Sequence, residues 1–309
     1  MNTLVLGGCG FIGSHIVDLL LDAGHKVRVV DQSPEQFRQP LTDVDYRLMD
    51  YTNASELEAA LDGIETVIHA ISSTVPGTSN KDTQADIRNN LLGFIRLLEL
   101  LKKQGIHRIV FLSSGGTVYG TPDIIPIPEN HPLNPLCSYG VVKVAIEKYL
   151  FMYQHLYGLR PIVIRPANPY GPRQGHSGVQ GVISTFLADV LKGRPLNVWG
   201  DGSTVRDFFH VQDLAKLCVT AAESDQSGIF NAGSGCGHSI REIINIISEI
   251  TGVAADVRFS DARTCDVEKV VLDIKKAKNA FNWSPDISLD QGVRDHWQWL
   301  RGSVDKNRI

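Results

Sequence analysis

The stretch Gly7-Gly8-Cys9-Gly10-Phe11-Ile12-Gly13 follows a short apolar run at residues 4–6 and opens a segment of helical periodicity at residues 14–21. Strand, glycine-rich turn and helix in this order are typical of a dinucleotide-binding unit, in which a pyrophosphate rests on the free N–H groups of the helix N-terminus. The next apolar run, at residues 27–30, ends at Asp31. A carboxylate at this point accepts hydrogen bonds from ribose hydroxyls and repels a 2′-phosphate, so we predict NAD rather than NADP as the cofactor. The alternative is a glycine-rich turn that binds nothing.

The order of apolar runs and helical patterns predicts an α/β protein. Short uninterrupted apolar strands that alternate with helices are typical of a parallel sheet covered by helices on both faces. We therefore predict a Rossmann-type doubly wound parallel sheet. The predicted strands lie near residues 3–6, 27–31, 46–49, 66–70, 108–113 and 161–165, and the predicted helices near residues 12–23, 54–62, 84–104 and 138–156.

The second half of the chain has a different character. A glycine- and proline-rich stretch at residues 168–178 is too long for a simple connector, and such loops usually carry function. The βα pieces that follow predict a smaller C-terminal α/β lobe. We assign residues 1–166 to the dinucleotide-binding domain and residues 167–309 to the lobe. Residues 205–223 are expected to return to the first domain, so that the two units interleave.

Composition and charge exclude several classes of protein. The net charge is −4 and the basic residues are scattered, which argues against nucleic acid and against an acidic membrane surface as partners. The N-terminus lacks a basic region before its apolar run, so it is interpreted as a strand rather than a signal peptide. The five cysteines lie far apart, without metal-ligand spacing. This pattern predicts no metal site and favours reduced cysteines in a cytoplasmic protein.

The strongest chemical signal is a tyrosine four residues before a lysine, Tyr139 and Lys143, at the start of a predicted helix. This spacing places both side chains on one face of the helix. An ammonium beside a phenol stabilises the phenolate, so we expect Lys143 to lower the pKa of Tyr139. Tyr139 would then transfer a proton to or from a sugar hydroxyl, while Lys143 holds the nicotinamide ribose. The alternative is an ordinary pair on a surface helix.

An ordered set of motifs extends along almost the whole chain. It consists of the glycine turn, Asp31, Asp50, His69-Ala70, Asn90-Leu91-Leu92-Gly93, Ser113-Ser114-Gly115-Gly116-Thr117-Val118-Tyr119-Gly120, Tyr139 with Lys143, Arg165-Pro166-Ala167-Asn168-Pro169-Tyr170-Gly171-Pro172, Arg206-Asp207-Phe208-Phe209-His210-Val211, Arg263-Thr264-Cys265-Asp266 and Trp283-Ser284-Pro285. With these motifs the chain resembles the extended short-chain dehydrogenase/reductase family, and within it the nucleotide-sugar 4-epimerases of the UDP-glucose 4-epimerase type.

The resemblance implies roles for individual residues. Tyr139 and Lys143 would be catalytic and would contact the nicotinamide. The residues implied to surround NAD are Gly7, Gly10, Phe11, Ile12, Asp31, Asp50, Tyr51 and Ala70. The nucleotide diphosphate, most simply that of a UDP-sugar, would be bound by Asn168, Arg206 and Arg263. Val270 stands where a bulky tyrosine in the resembling epimerases is associated with exclusion of N-acetyl groups, so acceptance of UDP-N-acetylhexosamines is expected.

Two departures from the family pattern bear on the activity. Gly115 occupies the position of the serine or threonine of the catalytic triad, so Ser114 or Thr117 would have to supply that hydroxyl. The loop at residues 71–76 lacks the lysine that the UDP-glucose enzymes often carry.

Gly116 and Thr117 stand where dehydratases and decarboxylases of the family need an acid or base. This argues against dehydration and decarboxylation and favours C4 epimerisation. The alternatives are a 4-keto-sugar reductase or dehydratase of the same family and a catalytically impaired NAD-binding protein.

The amphipathic helices predicted at residues 84–104 and 138–156 allow two interpretations. Their apolar faces could serve only to pack on the sheet. Their outer faces could also join two subunits in a bundle, and on this basis we predict a homodimer. The resemblance further implies a role in polysaccharide biosynthesis.

Overall fold

The computed structural model describes residues 1–175, 181–262 and 267–304. Up to the end of the sixth strand, helices and strands alternate much as the apolar runs predict. These elements are β1 (Asn2–Leu6), α1 (Phe11–Asp22), β2 (Lys26–Asp31), β3 (Val44–Leu48), α2 (Ala54–Ala60), β4 (Thr66–His69), α3 (Thr83–Asp86), α4 (Gly93–Gln104), β5 (Arg108–Leu112), α5 (Ser138–Tyr157) and β6 (Arg160–Pro166).

The remaining elements are shorter, as expected for a smaller lobe. They are β7 (Asn168–Tyr170), α6 (Val182–Leu191), β8 (Leu196–Trp199), β9 (Val205–Arg206), β10 (Phe208–His210), α7 (Val211–Glu223), β11 (Gly228–Ala232), β12 (His238–Ser239), α8 (Ile240–Thr251), β13 (Val257–Ser260), β14 (Lys269–Val270), α9 (Lys275–Phe281) and α10 (Leu289–Val304). None of the helices in the described ranges combines the length and apolar character that crossing a membrane requires.

Seven parallel strands form the main sheet in the order β11-β6-β5-β4-β1-β2-β3. One face packs on α1 and α7 through buried residues such as Ile16, Leu20 and Leu217. The other face packs on α2, α4 and α5 through residues such as Phe94 and Ile146. The predicted doubly wound sheet is thereby confirmed. The strand order reverses between β1 and β4, and in such sheets ligands bind in the crevice at the carboxyl ends of these two strands.

The lobe has its own core, in which β8, α6, α8 and α10 pack together through residues such as Phe186, Val198, Ile247 and Leu300. Small sheets surround this core. In one of them β9 pairs with both β12 and β14.

The return of the chain to the main sheet differs from the prediction. Helix α7 does pack against α1, but strand β10 pairs with β7 and stays outside the main sheet. The strand that joins the main sheet is β11, which pairs with β6 in parallel. Residues 228–232 therefore belong to the main sheet and not to the lobe in which the sequence analysis placed them. The boundary at residue 166 stays a prediction.

The helix predicted at residues 84–104 is present with one irregularity. Between α3 and α4 the chain forms a π-helical stretch, Ile87–Leu92. Within it Asn90 is buried, and its side chain bonds Ser73 and Asp86. Such stretches are rare and occur frequently at functional sites.

Candidate active site

The glycine turn between β1 and α1 leaves room for an anion. Gly7 has a φ of +84°, which favours glycine, and a Cβ at Gly13 would lie 2.0 Å from the Gly7 carbonyl oxygen. Gly10 precedes α1, and no side chain caps the N-terminus of that helix. The backbone N–H groups and the positive end of the helix dipole therefore suit a pyrophosphate. The turn fits the dinucleotide that the sequence predicts.

The residues predicted to surround this dinucleotide lie at the same edge of the sheet. Asp31 ends β2, and its Oδ2 accepts a hydrogen bond from the N–H of Cys9 in the turn at 3.0 Å. Ala70 follows β4 and lies directly beside the turn, because a Cβ on Gly7 would meet the Ala70 carbonyl carbon at 3.1 Å. The carboxylate of Asp31 is thus placed against the turn, at the switch point of the sheet.

Asp50 and Tyr51, which follow β3, have partners of their own. The carboxylate of Asp50 accepts hydrogen bonds from the N–H and hydroxyl of Thr52, which lower the pKa of Asp50. The buried Tyr51 donates its hydroxyl to the carbonyl of Asn89 at 2.6 Å, and burial raises its pKa.

Tyr139 and Lys143 lie in the first two turns of α5, as predicted. The Lys143 Nζ is 5.4 Å from the centroid of the Tyr139 ring and donates a hydrogen bond to the carbonyl of Leu112 at 2.8 Å. Leu112 is the last residue of β5, which is the neighbour of β4. The pair is therefore held at the carboxyl edge of the sheet, where the glycine turn also lies.

The electrostatics of this pair differ from the expectation. Burial raises the pKa of Tyr139, the charges of Cys137 and Asp86 add to that rise, and a hydrogen bond with the Ser114 side chain opposes it. Burial lowers the pKa of Lys143 to about 8, against the opposing effect of the Glu147 and Asp86 carboxylates. Desolvation therefore sets the direction of this shift, opposite to the lowering expected from Lys143, and the effect of the Lys143 ammonium itself stays a prediction.

The missing hydroxyl of the triad has a steric explanation. A Cβ at Gly115 would lie 2.5 Å from Leu272 Cδ1 and 3.0 Å from the Arg165 carbonyl oxygen. Of the two predicted substitutes, Ser114 hydrogen-bonds Tyr139. The Thr117 Oγ1 is buried without a hydrogen-bond partner among the described residues. Ser114 is thus the hydroxyl that contacts the phenol.

A cavity of about 680 Å³ extends from the N-terminus of α1 into the lobe. Its lining includes four of the predicted site residues, namely Phe11, Ile12, Asn168 and Arg206. Tyr139, Lys143 and Val270 are not part of this lining. Val270 is 2% exposed, packs in the main core and pairs in register with Arg206 on the neighbouring strand. Arg263 lies outside the described residues.

The comparisons with known proteins agree with this geometry. Residues 3–233 match the model of the NAD dependent epimerase/dehydratase family. The chain belongs to this family. The UDP-glucose 4-epimerase of Mycolicibacterium smegmatis is 35% identical, and the alignment covers 97% of this chain and 99% of that protein.

Solved structures of family members extend the likeness to the whole fold. The UDP-glucose 4-epimerase of Thermotoga maritima with UDP-glucose superposes with a TM-score of 0.95 at 33% identity, covering 98% of this chain and 100% of that one. The UDP-N-acetylglucosamine 4-epimerase of Methanobrevibacter ruminantium, in complex with UDP-N-acetylmuramic acid, gives 0.93 at 30% identity, with 98% of each chain covered.

The sequence analysis gave no role to two buried polar residues near Tyr139 and Lys143. Asp86 is fully buried and accepts three side-chain hydrogen bonds, and one of them comes from Ser138, the neighbour of Tyr139. His69, which the motif set includes without a role, is buried, and its ring nitrogens have no hydrogen-bond partner among the described residues. Burial lowers its pKa to about 3. The four-residue spacing of Asp86 and Asn90 within an amphipathic helix is the signal that could have found this cluster. No group of three or more potential metal ligands occurs in the described ranges.

Proposed function

We propose that this protein catalyses the NAD-dependent C4 epimerisation of a UDP-hexose or UDP-N-acetylhexosamine through a transient 4-keto sugar. One observation carries the proposal. The proton-transfer pair, Tyr139 and Lys143, is anchored at the carboxyl end of β5, at the same sheet edge as the dinucleotide-binding turn. Hydride transfer at C4 and proton transfer at its hydroxyl oxygen require the cofactor and the proton-transfer pair to lie close together.

The protein residues supply the acid–base part of the reaction. Tyr139 takes the proton of the C4 hydroxyl and returns it to the oxygen after the keto sugar has rotated. NAD would be held at the turn by Gly7, Gly10, Phe11, Ile12, Asp31, Asp50, Tyr51 and Ala70. When bound there, it would supply the acceptor and donor of the C4 hydride. The Lys143 ammonium would stabilise the phenolate form of Tyr139, which exists before the proton is taken and again after it is returned. Ser114 takes the part of the missing triad hydroxyl, since it already bonds the phenol.

The substrate's diphosphate is assigned to the cavity in the lobe. Arg206 and Asn168 line this cavity, and a guanidinium fork matches phosphate oxygens with charge-assisted hydrogen bonds. Arg263 is proposed as the second arginine on the ground of the family motif alone.

The activity is tested by incubating the purified protein with UDP-, dTDP- and GDP-sugars and following the 4-epimers by NMR. We expect a UDP-sugar to epimerise without added cofactor, because NAD returns to its starting state in each turnover. Tyr139→Phe keeps the ring and should lower turnover by about 10²–10⁴-fold. Absence of every 4-epimer would contradict the proposal, and turnover that requires added NADH would indicate a keto-sugar reductase.

Acceptance of N-acetylated sugars is proposed from Val270. It pairs in register with Arg206, which lines the cavity, and it stands where the resembling epimerases that exclude N-acetyl groups carry a bulkier tyrosine. Val270→Tyr should therefore suppress turnover of UDP-N-acetylglucosamine while UDP-glucose turnover is retained. Equal slowing of both substrates, or no native activity towards the acetylated one, would refute this assignment.

We also propose a homodimer that works in the cytoplasm, in polysaccharide biosynthesis. Apolar side chains are exposed on the outer faces of the two helical segments predicted to form the interface. They are Ile87 and Leu92 on one, and Val141, Met152 and Leu156 on α5. Among the described residues, Cys9, Cys137, Cys218 and Cys236 are free thiols, which favours a reducing compartment.

A further inference from the structure

Asp86 is a buried carboxylate whose hydrogen-bond partners are all uncharged. It ends α3 and is 0% exposed. Its Oδ1 accepts hydrogen bonds from Thr74 Oγ1 and Asn90 Nδ2, both at 2.7 Å, and its Oδ2 accepts one from Ser138 Oγ at 2.6 Å. Burying a carboxylate is costly unless its oxygens are satisfied. These three donors meet that need without cancelling the negative charge.

The three donors come from three parts of the site. Thr74 lies in the loop after β4, next to Val75, which lines the substrate cavity. Asn90 lies in the π-helical stretch, and its side-chain oxygen accepts a hydrogen bond from the Ser73 N–H of the same loop at 2.9 Å. Ser138 is the first residue of α5 and precedes Tyr139. Asp86 thus joins the cavity loop, the π-helical stretch and the catalytic helix at one point.

We propose that Asp86 is a positioning residue that fixes the cavity loop to the N-terminus of the catalytic helix and sets the charge balance around Tyr139 and Lys143. This inference rests on the proposed function, because it assigns Asp86 a part in the same proton transfer. Asp86 touches neither the reacting atoms nor the cofactor-binding turn, and it acts through Ser138 and through its charge.

The charges around the pair support this role. Tyr139 faces Asp86 and Cys137, and Lys143 faces Asp86, Glu147 and the neutral His69. The carboxylate of Asp86 raises the pKa of both Tyr139 and Lys143. The reason is that a nearby negative charge favours the protonated form of each side chain. Without this charge both groups would lose their protons at lower pH.

The first experiment measures kcat against pH for Asp86→Asn. This change keeps the size of the side chain and removes the charge, so both limbs of the profile should move to lower pH, by about one unit for a single nearby charge. The control is Asp82→Asn on the same helix, an exposed N-cap that bonds the Ala85 N–H at 2.8 Å. Asparagine caps as well as aspartate, so the control profile should match that of the native enzyme. If both limbs of the Asp86→Asn profile stay at the pH values of the native enzyme, the charge role is overturned, whatever the maximal kcat.

The second experiment measures deuterium exchange in Thr74→Val, which deletes one donor and keeps the shape of the side chain. Amides of the loop at residues 70–78 and of the first turn of α5 should exchange several-fold faster, and KM should rise more than kcat falls. Native exchange rates in both segments would overturn the proposed link between the cavity loop and α5. This test holds even if Asp86→Asn fails to fold. The exchange measurement needs no substrate, so it still tests Asp86 if every nucleotide sugar is left unchanged and the proposed function fails.

Discussion

Asp31 braces the glycine turn and also carries a negative charge at the proposed cofactor site. Its Oδ2 accepts a hydrogen bond from the Cys9 N–H at 3.0 Å, and its Oδ1 accepts one from the Ser33 N–H at 3.1 Å. The side chain thus braces the glycine turn as well as offering a negative charge at the end of β2. In the proposed site, cofactor choice and the shape of the turn would depend on the same carboxylate.

Replacement of Asp31 by asparagine separates these two effects. Asp31→Asn keeps an oxygen for the Cys9 N–H and removes the charge that repels a 2′-phosphate. We expect the ratio of the Kd values for NADP and NAD to narrow by about tenfold, or about 1.4 kcal/mol, in calorimetric titrations. Asp31→Ala should also weaken NAD itself, because the turn loses its brace. Equal affinity of the native protein for NAD and NADP would contradict this interpretation of Asp31.

The two candidate hydroxyls near Gly115 predict opposite results. Ser114→Ala removes the side chain that bonds Tyr139, and we expect kcat to fall by about 10²–10³-fold, the scale of one hydrogen bond to a developing charge. Thr117→Val should leave kcat within about threefold, because the Thr117 hydroxyl is buried away from solvent without a partner among the described residues. Steady-state kinetics of both variants, with bound NAD as the folding control, decide the matter. A larger loss in Thr117→Val would transfer the role to Thr117.

At this scale the sequence identifies reactive groups better than it predicts their environment. The spacing of Tyr139 and Lys143 is a local property of a helix, and the structure has both residues on one face near the sheet edge. Desolvation depends on what the fold packs around them, so the direction of the Tyr139 pKa shift could not be obtained from spacing. Asp86 was missed for the same reason, since an aspartate in a helix is ordinarily exposed.

An ion pair between Glu147 on α5 and Arg165 on β6 is the most deeply buried one among the described residues. Arg165 Nη2 lies 2.5 Å from Glu147 Oε2, and both side chains are at most 2% exposed. Ser113 donates a further hydrogen bond to Glu147, and Tyr119 contacts the guanidinium of Arg165. The helix that carries the catalytic pair is thereby fixed to the sheet.

Removal of one partner of this pair should destabilise the protein strongly. Glu147→Ala leaves the guanidinium of Arg165 buried without its carboxylate, and we expect a loss of about 3–5 kcal/mol in the free energy of unfolding. Glu58→Ala, which breaks the exposed pair with Lys103, should cost less than about 1 kcal/mol. Urea unfolding of both variants measures the difference. Equal losses in the two would mean that burial adds nothing to the ion pair.

Whole elements are predicted well where their signal is local. Five of the six strands from β1 to β6 contain consecutive apolar residues, whereas β3 reads VDYRL, and each strand lies close to its predicted place. The π-helical stretch Ile87–Leu92 escapes such a prediction, because one extra residue in a turn barely changes the hydrophobic period. Strand β10 lies within residues 205–223, which were expected to return to the first domain, but its pairing with β7 depends on long-range contacts.

The proposed dimer gives a prediction for the whole molecule. Leu156 on α5 is 55% exposed, and Phe259 on β13 in the lobe is 52% exposed. Leu156→Glu places a charge in the proposed interface, so we expect dissociation to monomers in sedimentation velocity experiments. Phe259→Glu is matched in exposure and lies outside that interface, so it should remain dimeric. A native protein that is monomeric at micromolar concentration would exclude this assembly.

The position of β11 has a consequence for how the chain is made. Strand β6 has β5 on one side and β11 on the other, and β11 is built from residues 228–232. During synthesis the hydrogen-bonding groups along that side of β6 therefore stay unpaired until β11 has left the ribosome. In the chain β11 comes after β7, α6, β8, β9, β10 and α7. An open strand edge is a template for pairing with other chains. The nascent protein is accordingly most exposed to aggregation in this interval, and a chain truncated at residue 166 would retain that exposed edge permanently.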